Sequence, residues 1–226
     1  STFRDNTMLS KDLADQILSD HGLHSAGAPL SRANAIVVAI HGRGADAASI
    51  LGLADVFAQP DIAFVAPQAA HRVWYPHSFI APIEANEPWL GQSLAQVSGV
   101  LDAIETGGVP AGKLGLLGFS QGACLALENA IRRPRAYGAV LGFSGGFIGP
   151  MGMHRQPQGR MEGAQVFLGC SDVDPHIPVQ RVRQTTALMT AMGANVIERI
   201  YPNFGHAIND DEVALARCLL VAMAEA

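Results

Sequence analysis

Six stretches of the chain carry the apolar, β-branched character of strands: residues 35–40 ("AIVVAI"), 61–67 ("DIAFVAP"), 113–119 ("KLGLLGF"), 136–145 ("AYGAVLGFSG"), 164–170 ("AQVFLGC") and 195–201 ("NVIERIY"). Short, nearly continuous apolar runs closed by Gly or Pro predict strands buried on both faces. Between them apolar residues recur at helical spacing. Helices are expected over 47–57, 88–104 (through Leu90, Leu94, Val97 and Leu101), 121–133, 179–192 and 210–225. A shorter amphipathic helix is expected over 8–19, with Leu9, Leu13, Ile17 and Leu18 on one face, so residues 1–20 read as an N-terminal helical extension. Strands alternating with helices predict an α/β fold with a mostly parallel central sheet and helices on both faces. In such sheets the working residues gather on loops beyond the carboxyl ends of the strands. The segment 68–89, "QAAHRVWYPHSFIAPIEANEPW", is too long for an ordinary connection and is marked as functional.

No repeat, low-complexity tract or change of composition divides the chain, so residues 1–226 read as a single domain without room for a large lid domain. With 49% hydrophobic and 15% charged residues, a large core can be buried. A formal charge of −5 argues against nucleic acid or an anionic membrane surface as partner. No apolar stretch reaches spanning length, and the N-terminus is too polar for a signal peptide. Cys124, Cys170 and Cys218 are odd in number and widely spaced, with no Cys-x-x-Cys pair. They read as small core residues of a protein from a reducing compartment, and a cytoplasmic setting is expected. Arg132, Arg133 and Arg135 read as a solvated helix end stopped by Pro134.

The pattern Gly-x-Ser-x-Gly occurs twice, at Gly118–Gly122 and at Gly142–Gly146. It can hold a nucleophilic serine on a sharp turn between a strand and a helix, where small flanking residues let the two elements approach. Both copies follow a strand, but a helical pattern follows only the first. "GFIGPMGMHRQPQG" after the second has too much glycine and proline to continue as a helix. Ser120 is therefore the candidate nucleophile; a buried helix cap is its competing reading. Ser144 is expected to end its strand in a loop whose glycines let the backbone pass close to the site.

A serine needs a base, and the base an orienting carboxylate. His206 follows the last predicted strand, where a loop can bring its ring over the serine turn. Asp172 and Asp174 both lie just beyond an earlier strand end, and spacing does not separate them. An oxyanion hole is expected from the amide of Gln121 and a second amide in "HGRG", from Gly42 or Arg43. The Arg43 side chain could also screen negative charge on substrates. His41 reads as a structural hydrogen-bonding residue.

Together "HGRG", "GFSQGA", "SDVDPHIP" and "YPNFGHAI" resemble the phospholipase/carboxylesterase family of α/β-hydrolases, which includes acyl-protein thioesterases and is related to dienelactone hydrolases. The resemblance runs from "IVVAIHGRGAD" to the last helix. It implies an α/β-hydrolase fold and a serine carboxylesterase acting through an acyl-enzyme, with Ser120, Asp174 and His206 catalytic and the amides of Gln121 and Arg43 forming the oxyanion hole. It also implies no metal or cofactor, and thioesterase or lactonase as alternative activities. A non-catalytic binding protein of the same fold is a further alternative. Arg43 stands where the thioesterases usually carry an aliphatic residue. The expected partner is a small-molecule ester, with no integral membrane contact, and a homodimer is left open. Trp74, Tyr75, Phe79, Ile80 and Trp89 are expected to line the substrate cleft opposite Phe147, Ile148, Met151 and Met153.

Overall fold

The computed structural model describes residues 9–226; Ser1–Met8, including the first position of the expected N-terminal helix, lie outside the described residues. Seven strands form one sheet: β1 (His24–Gly27), β2 (Ala35–Ile40), β3 (Ile62–Ala66), β4 (Leu114–Phe119), β5 (Ala139–Phe143), β6 (Gln165–Ser171) and β7 (Asn195–Tyr201). Their order is β1-β3-β2-β4-β5-β6-β7, parallel throughout except for β1. This is the expected α/β-hydrolase architecture. The strands from β2 to β6 are buried almost without interruption, because helices cover both faces.

Six helices do the covering: α1 (Lys11–Asp20), α2 (Ala47–Phe57), α3 (Trp89–Thr106), α4 (Gln121–Arg132), α5 (Val179–Ala191) and α6 (Asp210–Glu225). Side chains alternate along each strand, so Ile36, Val38 and Ile40 join one core with α1, α3, α4 and α5. Ala35, Val37 and Ala39 join a second core with α2 and α6. The chain leaves β2 toward β3 on one side and returns to add β4 on the other. The ends of β2 and β4 therefore flank the point where strand order reverses, the usual place for a site in an open parallel sheet.

Three expectations are corrected here. The apolar runs predict six strands; the seventh, β1, spells "HSAG" and carries no such run, because an edge strand gains its stability from pairing with β3. Cys218 is exposed on the outer face of α6, whereas Cys124 and Cys170 are buried. The arginines at the end of α4 are paired rather than merely solvated: Arg133 and Arg135 bind Asp102 on α3, and Arg135 also binds Glu105.

Arg132 reaches a carboxylate that organises the long excursion after β5. Glu128, fully buried on α4, accepts from Arg132 (2.6 Å), from Arg155 (2.7 Å) and from the amide of Ile148 (2.8 Å). Buried Arg181 on α5 donates to the carbonyls of Phe147, Gly149 and Pro150 at 2.7–2.8 Å. The excursion is thus latched to α4 and α5 through buried charge. Removing one partner of such a network leaves an uncompensated buried charge. Glu128→Ala is expected to cost about 3–5 kcal/mol of stability, read from denaturant midpoints.

Glu212 makes a second buried carboxylate. It completes a capping box with Asn209 at the start of α6, but its Oε1 finds no hydrogen-bond partner. Burial pushes its carboxyl from the ordinary 4.5 up to about 7. A pKa raised on folding gives stability that is complete below about 4.5 and is lost as pH rises through about 7. Glu212→Gln should remove this dependence, raising the melting temperature more at pH above 7 than at pH near 4.5; an equal change at both would contradict it.

Candidate active site

The turn between β4 and α4 places Ser120 at φ +56° and ψ −120°, a region that non-glycine residues rarely occupy. Two glycines permit it. A Cβ on Gly118 would overlap the carbonyl of Gly122, and a Cβ on Gly122 would overlap the carbonyl of Ile40 at the end of β2. Helix α4 therefore starts directly against two strand ends, with the Ser120 amide bonded to the carbonyl of Phe143 (3.0 Å). The unpaired amides of the first turn of α4 point toward the serine.

The loops after β6 and β7 bring two further groups to this turn. Ser120 Oγ lies 2.8 Å from His206 Nε2, and His206 Nδ1 lies 2.6 Å from Asp174 Oδ2. The carboxylate fixes the imidazole proton on Nδ1, leaving Nε2 to accept from the serine hydroxyl. Asp174 is itself held by a turn: its Oδ1 accepts from the amides of His176 (2.8 Å) and Ile177 (3.0 Å). Phe119 packs against one side of the His206 ring and His176 meets it edge-on.

Geometry separates the two aspartates that spacing left open. Asp172 does not touch His206; its Oδ1 accepts from the amide of Asn203 (2.8 Å) and anchors the loop that carries the histidine. Beside it stands Ser171, to which the sequence alone assigns no role. Its buried Oγ accepts from three amides: Val173 in the Asp174 loop, and Phe204 and Gly205 in the His206 loop (3.0–3.2 Å). Ser171 and Asp172 thus suspend one loop from the other and set the distance between imidazole and carboxylate. A polar residue at a strand end is the only trace this leaves in sequence.

The loop after β2 is fixed from three directions. His41 is buried, bonded through Nδ1 to the carbonyl of Gly42 and through Nε2 to the amide of Ala69. Burial holds its pKa below the usual imidazole value, so it stays neutral, in keeping with a structural residue. The amide of Gly44 donates to the carbonyl of Arg72 (2.7 Å), a residue held at φ +61°. Trp74 stacks near His41 and donates its indole N–H to the His41 carbonyl (2.8 Å). The Gln121 side chain clasps the same segment, accepting from the Trp74 amide (3.0 Å) and donating to the Tyr75 carbonyl (2.8 Å).

A cleft of about 680 Å³ opens over Ser120. Arg43, Tyr75, Phe79, Gln121, Ile177 and His206 are among the residues around it. Several expected lining residues are elsewhere. Trp74 lies behind the cleft wall, bracing the β2 loop, and Trp89 is exposed on a separate hollow. Ile80 packs against the core. Phe147 and Ile148 are buried beneath the latched excursion, where Arg181 and Arg155 cover the Phe147 ring. Met151 meets Arg181, and Met153 borders a different hollow. The buried arginines draw this excursion onto α4 and α5 rather than toward the serine.

Ser144, in the second motif copy, also sits at φ +56°, and its amide bonds to the carbonyl of Gly169 (2.7 Å). Its hydroxyl is fully buried beside the Cys170 thiol. A Cβ on the following Gly145 would strike Ala123, so the glycine lets this strand end press against the first turn of α4. Among the described residues, no three His, Cys, Asp or Glu side chains are grouped to hold a metal ion, and no helix is long and apolar enough to cross a membrane.

Comparison with known proteins agrees with this fold. The Phospholipase/Carboxylesterase family model matches residues 24–222. A phospholipase/carboxylesterase from Dyadobacter fermentans is 39% identical and superposes with a TM-score of 0.83, over 88% of this chain and 95% of that one. Esterase PE8 (24% identity, TM-score 0.74, 88% and 97% covered) and Zea mays acyl-protein thioesterase 2 (21%, 0.69, 89% and 98%) share the fold. No curated protein matches the sequence. A strand-and-helix frame of this order, with a family match across most of its length, places the chain in the phospholipase/carboxylesterase family, an esterase-type hydrolase of the α/β-hydrolase fold.

Proposed function

We propose that the protein is a serine carboxylesterase that hydrolyses small to medium carboxylic esters through an acyl-enzyme on Ser120. The observation that carries this reading is the continuous hydrogen-bond chain from Ser120 through His206 to Asp174 beneath an open cleft. Ser120 Oγ attacks the ester carbonyl carbon while its proton passes to His206 Nε2, and the Asp174 carboxylate stabilises the imidazolium. The carbonyl oxygen becomes an oxyanion and accepts from the amides of Gln121 and Arg43, neither of which bonds to another described residue. The tetrahedral centre then collapses. The carbon–oxygen bond to the alcohol breaks, and His206 gives its proton to the departing oxygen. Water then attacks the acyl carbon while His206 Nε2 takes its proton; the bond from that carbon to Ser120 Oγ breaks, His206 returns the proton to Oγ, and the acid leaves.

The cleft suits modest substrates. It is open to solvent, with Phe79, Phe119 and Ile177 offering apolar surface near the serine.

Ser120→Ala is expected to abolish hydrolysis of short p-nitrophenyl esters with the circular dichroism spectrum unchanged. Asp174→Asn leaves the imidazole in the wrong tautomer and should lower kcat about ten-thousand-fold. Asp172→Asn keeps an acceptor for the Asn203 amide and should stay within a few-fold of the parent. Turnover retained by Ser120→Ala, or a greater loss at Asp172 than at Asp174, would contradict the assignment.

A further inference from the structure

The cleft holds one fixed positive charge. The chain is acidic overall at −5, yet among the described residues no Asp or Glu side chain lines the cleft, whereas Arg43 does. Arg43 is oriented without being neutralised: Nη1 donates to the carbonyl of Pro76 (3.0 Å) and Nη2 to that of His77 (2.8 Å). Among the described residues it forms no ion pair, unlike Arg72, Arg132, Arg133, Arg135, Arg155 and Arg160. Two carbonyls use two of its five N–H donors, so a charged fork with unused donors is held at the cleft.

The wall behind Arg43 is apolar. The Tyr75 ring lies 6.0 Å from the guanidinium carbon, and its hydroxyl is turned into the interior against the Cys124 thiol, closed to solvent. Arg43 is therefore the cleft residue with charged donors to offer an anion.

Building on the esterase reading above, we propose that the preferred substrate is an ester carrying a free carboxylate, such as a half-ester of a short dicarboxylic acid, that carboxylate being received by the Arg43 guanidinium. Chemistry follows the same steps as for any ester; the free carboxylate is bound and not transformed.

The test compares monoethyl glutarate with the uncharged ethyl hexanoate, following acid release at constant pH. The parent protein should favour the half-ester in kcat/KM, and the preference should shrink as salt is raised. Arg43→Met should lower the half-ester to hexanoate ratio about tenfold or more, with Arg43→Lys retaining part of it. No preference in the parent protein, or a ratio unchanged in Arg43→Met, overturns the carboxylate proposal. If ethyl hexanoate is turned over without preference, only this inference falls. If neither ester is hydrolysed, the esterase reading falls with it.

Discussion

Helix α4 starts so close to the end of β2 that no side chain fits between them, and the site depends on that contact. Gly122 rests on the carbonyl of Ile40, and Gly118 lies beneath the carbonyl of Gly122. Ser120, between them, has no relaxed conformation available and is held at φ +56°. Such strain persists only where the surroundings over-determine it. Here β2, β4 and β5 all contribute, because the Ser120 amide is bonded to the carbonyl of Phe143 on β5. The same contact sets the loop after β2 beside the serine turn, with Gly42 against Phe119 and Ser120.

The partners of Ser120 come from farther along the chain, and polar wiring rather than packing brings them in. His206 is carried by a loop whose amides hang from side chains of the neighbouring loop, through Ser171 and Asp172. Asp174 belongs to that neighbouring loop and is locked by its own turn. Imidazole and carboxylate are therefore referenced to each other first and to the serine second. On the opposite side, Trp74, Gln121 and His41 tie the long 68–89 segment into the wall behind the cleft. That segment is ordered by these bonds, which explains how a connection of such length can serve as fixed structure.

Much of this was legible in the sequence, for physical reasons that vary by element. Strand β2 and helix α2 have the bounds that their apolar runs predict, since both are buried elements with sharp polar or glycine ends. Strand β1 was not legible: "HSAG" is held by backbone pairing to β3, which leaves no mark on side-chain pattern. Ser120 stood out from Ser144 because a helix follows only the first, although both turn at the same φ. Asp172 and Asp174 were inseparable by spacing because they share a loop, and only the turn around Asp174 directs its oxygen to His206. The cleft was read least well. Hydrophobicity marks Trp74, Phe147 and Met151 as apolar but does not say where they point, and buried hydrogen bonds and arginines direct them away from the serine.

The central claim is that one hydroxyl among many is made nucleophilic by its place in this frame. Reaction with a fluorophosphonate, followed by digestion and mass spectrometry, tests it directly. A single adduct on Ser120 is expected, with none on Ser144 and labelling that nearly vanishes in His206→Ala. An adduct on any other residue, or labelling of Ser120 at an undiminished rate without the histidine, would contradict it.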